Sequence, residues 1–153
     1  MDLFSDILFL QDATGSQQPY VDQTRDSIGN IVDALVRSGK WSPDCLRIGV
    51  VAFRDHPPQE NTWITQMYPD SKTPTFTTDI GGVMDYLTNL KAEGGGDGPE
   101  AQCDALSSVL EAEWKDGATQ VVVLITDAPP HGIGEYRDGF PKGCPLRELS
   151  TIH

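Results

Sequence analysis

Leu8–Gln17 reads LFLQDATGSQ, an apolar run that passes directly into an aspartate and then two hydroxyls at alternate positions, Asp12, Thr14 and Ser16. Together with the residues before it, this run gives DILFLQ, Asp6–Gln11, short, apolar and closed by turn-forming residues. That pattern marks a strand buried on both faces. Such a strand belongs inside a mostly parallel sheet with helices on each side, and it delivers the polar triplet at its carboxyl end.

The rest of the chain supports this reading. After Pro19, the apolar positions Val21, Ile28, Ile31, Val32, Leu35 and Val36 recur at helical spacing, which predicts a long amphipathic helix ending near Ser38-Gly39. LRIGVVAF, Leu46–Phe53, is a second buried strand. Arg54 to Pro74, with four prolines, reads as loop containing an edge strand around Trp63–Tyr68. Thr78-Asp79 caps a helix carrying Ile80, Val83, Met84, Leu87 and Leu90. A further helix begins near Pro99 and ends by Trp114. QVVVLITD, Gln120–Asp127, is β-branched at four positions and reads as a third buried strand. Strands alternating with helices predict a three-layer, Rossmann-like α/β fold.

Composition narrows the partners. The 153 residues suit one domain, with 23 acidic against 11 basic side chains and a net charge of −12. This balance repels the phosphate backbone of nucleic acids and anionic membrane surfaces, and favours cations. The same charge also serves solubility alone. Cys45, Cys103 and Cys144 are widely spaced and odd in number, which speaks against a disulfide framework. The longest apolar run, Val121–Ile125, is too short to span a bilayer. Asp2 and Asp6 interrupt the N-terminal apolar stretch, so it does not read as a secretory signal and a cytoplasmic location is expected.

In an open α/β sheet, functional groups collect at the carboxyl ends of the strands. Asp12, Thr14 and Ser16 fall there, as does Asp127 in LITDAPPHG, while Asp97 lies in GGGDGPEA before the Pro99 helix. All five side chains are hard oxygen donors, suited to Mg²⁺, Ca²⁺ or Mn²⁺ and not selective for zinc or copper. Each segment also has a plainer account: a turn whose hydroxyl caps the next helix, a glycine loop, a lone cap after a strand. The conjunction of three segments favours a divalent-cation site. Asp55, just past the second strand, is placed to support the ligands by hydrogen bonding.

DATGS resembles the DxTGS or DxSxS signature of the metal-ion-dependent adhesion site in von Willebrand factor type A domains, and LITDAPP resembles the strand and aspartate that complete it. The likeness extends over nearly the whole chain. FRDHPPQ, Phe53–Gln59, and GGGDGPEA, Gly94–Ala101, further resemble a lower-eukaryotic subgroup that includes domains attached to alpha-type kinases. The resemblance implies metal binding by the Thr14 and Ser16 hydroxyls, with Asp12 and Asp127 bound directly or through water. It implies Mg²⁺ as the cofactor, with Ca²⁺ or Mn²⁺ as substitutes. Many members place a threonine ligand in the second loop; the resemblance implies that Asp97 would take that role here, and three carboxylates around a dication would leave a local charge of about −1.

The 26 positions after Asp127 are rich in glycine and proline and contain no strand-like run. A complete domain of this kind needs two further strand–helix units, so residues 1–153 are expected to form a single domain that is incomplete at its C-terminus. The function expected is a non-enzymatic adhesion or scaffold module that recruits a protein partner through an acidic residue at the metal. Two alternatives stand beside it: a Mg²⁺-dependent phosphate-handling hydrolase with Asp12 as nucleophile, and a purely structural metal site in a multidomain protein.

Overall fold

The computed structural model describes residues 3–39, 42–55, 63–94 and 102–126. The first strand, β1, spans Ser5–Asp12 and leads through a 3-10 turn at Gly15–Gln17 into helix α1, Gln18–Arg37. A second 3-10 turn, Pro43–Cys45, precedes β2, Leu46–Phe53, which is followed by the short β3, Thr65–Tyr68. Helix α2 covers Ile80–Asn89, and α3 covers Gln102–Ser108 before a 3-10 turn at Val109–Glu111. The last described strand, β4, is Thr119–Ile125.

The four strands form one sheet in the order β3-β2-β1-β4. β1 is parallel to both its neighbours, running Ser5↔Leu46 to Asp12↔Phe53 on one side and Ser5↔Thr119 to Gln11↔Ile125 on the other. β3 is antiparallel to β2. The fold is therefore α/β, with a mixed sheet whose centre is parallel, in keeping with a Rossmann-like arrangement.

Period-two alternation sends successive side chains of β1 and β2 to opposite faces, and both faces are covered. Phe9, Ile48, Val50 and Ala52 pack with Val21 and Ile28 of α1 and Val83 and Leu87 of α2. Leu8, Leu10, Val51 and Phe53 pack on the other face with Ala105 of α3. Two helices on one side and one on the other make three layers. Asp79 holds the start of α2, its Oδ1 accepting the Gly82 amide at 3.1 Å.

β4 departs from its sequence reading. It is a strand, as the β-branched run requires, but it is not buried: Val121 is 38% exposed, and Val122 and Leu124 are each 40% exposed. The cause is position. Among the described residues β4 has β1 on one side and no strand on the other, and α3 packs over β2 instead. An apolar groove of about 300 Å³ runs beside it, lined by Tyr20, Thr24 and Ile31 of α1 and Val123 and Ile125 of β4.

At the amino-terminal end of β1, the fully buried Asp6 takes a bidentate ion pair from Arg47, Nε to Oδ1 at 2.7 Å and Nη2 to Oδ2 at 2.6 Å. Asp6 Oδ2 also accepts the Lys115 amide at 2.7 Å. The hydrogen bond to Asp6 holds the Arg47 guanidinium above its ordinary pKa, more than burial lowers it. One carboxylate thus ties β1 to β2 and to the segment entering β4. Cys45 and Cys103 are free thiols, and among the described residues no helix is long and apolar enough to cross a membrane.

Candidate metal centre

The candidate centre lies at the carboxyl edge of the two inner strands, opposite the Asp6–Arg47 pair. β1 ends at Asp12 because the next residues form a turn: Asp12 Oδ1 accepts the Thr14 amide at 3.0 Å, the short-range bond by which aspartate closes such turns. The same oxygen accepts the Thr14 hydroxyl at 2.6 Å. Asp12 Oδ2 accepts the Thr126 hydroxyl at 2.7 Å. The carboxylate is fully buried, and both its oxygens are hydrogen-bonded.

The plainer account of this loop is half right. It is a turn, but the Thr14 side chain makes no hydrogen bond to the helix that follows. Its oxygen accepts no amide there, and its proton goes to Asp12. A hydroxyl has one proton and two lone pairs, so the Thr14 oxygen keeps lone pairs for an electrophile. Thr14 is almost wholly buried, whereas Ser16, within the 3-10 turn, faces solvent. Gln17 is buried, and among the described residues its Nε2 has no hydrogen-bond partner; as a donor that nitrogen cannot ligate a cation.

The second loop is laced to the first before it leaves the described region. Glu93 N donates to Ala13 O at 3.0 Å, Gly15 N to Gly94 O at 3.2 Å, and Ala92 N to Gln18 Oε1 at 2.9 Å. Arg54, buried just past β2, donates from Nη2 to Lys91 O at 2.7 Å and lies 4.2 Å from the Trp63 ring centroid. Asp55, the next residue, is fully buried. Close to Arg54, Tyr86 stacks on Tyr68 with ring centroids 5.1 Å apart and donates its hydroxyl to Gln66 Oε1 at 2.8 Å. Burial holds the Tyr86 phenol well above its ordinary pKa, with the Arg54 charge opposing that shift.

Of the residues expected to bind metal, Asp12 and Thr14 are joined by a direct hydrogen bond and Ser16 follows on the same turn. Asp97 and Asp127 lie outside the described residues. Among the described residues no three His, Cys, Asp or Glu side chains come together, so a cation there would be held by hydroxyl oxygens together with carboxylates. This donor set is all hard oxygen and fits Mg²⁺, Mn²⁺ or Ca²⁺. Two participants escaped the sequence reading. Thr126 binds Asp12 directly, and Gln102 of α3 reaches Thr126 Oγ1 from Nε2 at 3.5 Å. The signal for Thr126 was its place one residue beyond a strand in parallel register with β1.

Comparison with known proteins gives relatives that share this segment within much longer chains. No family model matches the chain. It is 29% identical over 152 residues to "Alpha-protein kinase vwkA" of Dictyostelium discoideum, an alignment covering 95% of this chain and 23% of that protein. It is 26% identical over 150 residues to "Putative ariadne-like RING finger protein R811" of Acanthamoeba polyphaga mimivirus, covering 96% of this chain and 13% of that one. The chain thus spans less than a quarter of either relative. Among solved structures, proximal thread matrix protein 1 from the mussel byssus superposes with a TM-score of 0.56 at 17% identity, over 85% of this chain and 32% of that chain. That likeness is one of fold.

Proposed function

We propose that this chain is a non-enzymatic, divalent-cation-binding interaction module of the von Willebrand factor type A kind. Thr14 and Ser16 would offer hydroxyl oxygens to Mg²⁺, with Asp12, Asp97 and Asp127 supplying negative charge directly or through water. Asp55 would support them by hydrogen bonding. When bound, the ion supplies an electrophilic position that a partner protein's carboxylate can complete; this chain's residues hold and orient it. The free thiols Cys45 and Cys103 suit a reducing compartment, and we assign the module to the cytoplasm.

The observation that carries this reading is the Thr14–Asp12 bond. The hydroxyl proton goes to a buried carboxylate and no amide of the turn that follows donates to its oxygen, which leaves lone pairs for a cation beside the exposed Ser16. The net charge of −12 adds to the attraction for a dication and makes an acidic partner dependent on that ion. Hydrolase chemistry fits less well: both oxygens of Asp12 already accept hydrogen bonds, which makes them poorer nucleophiles. The kinase and RING finger names belong to relatives of which this chain spans a small part.

Mn²⁺ titration followed by electron paramagnetic resonance tests the proposal. One site is expected, weakened at least about tenfold by Thr14→Ala or Ser16→Ala. A short glutamate-bearing peptide should then bind only in the presence of the cation. No uptake at millimolar Mn²⁺ would overturn the metal reading; uptake without any peptide binding would leave a structural ion in its place.

A further inference from the structure

We infer that Thr126 is a positioning residue of the cation site: its hydroxyl fixes the Asp12 carboxylate, which in turn fixes the oxygen of Thr14. This inference rests on the metal reading above and extends it to a residue outside the proposed ligand set. The last pair of the β1–β4 ladder is Gln11↔Ile125. One residue further along, the parallel register sets Thr126 beside Asp12, and the 2.7 Å bond from Thr126 Oγ1 to Asp12 Oδ2 is the result. The strand pairing itself therefore creates the contact.

The direction of the bonds gives Thr126 its role. A threonine hydroxyl has a single proton to donate. Gln102 Nε2 approaches Thr126 Oγ1 as a donor from α3, which leaves the Thr126 proton for Asp12. Asp12 is then gripped on Oδ2 by Thr126 and on Oδ1 by the amide and hydroxyl of Thr14. Both hydroxyls donate inward to one buried carboxylate. Without the Thr126 donor, Oδ2 loses this restraint, and the orientation of the carboxylate and of the Thr14 oxygen bonded to it is less closely set. Hydrogen-bond partners that orient metal ligands typically change affinity by about 10–100-fold when removed.

The test compares Mn²⁺ affinity of the wild-type chain with Thr126→Val and Thr126→Ser, alongside urea unfolding of each without metal. The expected result is at least about tenfold weaker Mn²⁺ binding in Thr126→Val and affinity within about twofold of wild type in Thr126→Ser, which keeps the donor. Should the valine variant not fold, Thr126→Ala replaces it with the same expectation. Wild-type affinity in Thr126→Val accompanied by lower stability would overturn the inference, since a purely structural threonine behaves that way. Equal weakening in the serine variant would also overturn it. Absence of Mn²⁺ binding by the wild-type chain would bring down the metal reading and this inference together, a result distinct from either of these.

Discussion

Thr14 donates its only proton to Asp12, and its oxygen accepts no amide of the 3-10 turn it precedes, as a capping hydroxyl would. Side chains elsewhere show the same dependence of role on surroundings. The phenol of Tyr86 has an ordinary pKa of 10.0 that burial raises, because the phenolate would lie against Tyr68 with little water to solvate it. Its contribution to stability is complete below about pH 10. Above that, the unfolded chain releases the proton while the folded one keeps it, so stability declines by about 1.4 kcal/mol per pH unit from this group until the folded phenol also ionises. Urea unfolding of Tyr86→Phe between about pH 10 and pH 11 should show that share of the decline removed, leaving the slope due to other groups. An unchanged slope would mean the phenolate is well solvated in the folded state.

Helices and strands were legible where periodicity is long. The stripe Val21, Ile28, Val32 located α1, and the double-sided apolar runs located β1 and β2, to within a few residues. Burial of β4 was not legible, because a β-branched run has the same composition whether or not a further strand and helix cover it. Nor was the approach of the 75–77 segment to β2. Ile48 and Thr77 exchange backbone hydrogen bonds at 2.9 Å, and a side chain at Gly49 would collide with the carbonyl of Thr75. In the fold Gly49 lets another backbone pass closely. Gly49→Ala is expected to destabilise the chain by about 1–3 kcal/mol, measured by urea unfolding. At the strand ends, DATGS pointed to the turn that holds Asp12, Thr14 and Ser16, yet the Thr126 contact with Asp12 required the register of two strands more than a hundred positions apart.

At the level of the whole molecule, the sheet carries charge at one end and its candidate ion at the other. Asp6 and Asp12 are six residues apart on one strand, about 20 Å at the usual rise. That is well beyond the roughly 10 Å within which substitutions usually couple. Arg47→Met strands the buried Asp6 carboxylate and is expected to cost about 3–5 kcal/mol in urea unfolding. If the two ends are independent, Mn²⁺ should add the same increment of stability to Arg47→Met as to the wild-type chain, within about 0.5 kcal/mol.

The Asp6 linkage also bears on how the chain opens. It joins β1, β2 and the entry to β4 at a place remote from the laced loops, so those loops can detach while the strands stay paired. Amide hydrogen exchange should then divide the molecule in two: slow exchange at Ile48 and Val50, which chelation leaves unchanged, and faster exchange at Gly15 and Glu93, which the ion slows. If the proposed ion binds at the loop rim, its uptake and release need only a local opening there, with the opposite end undisturbed.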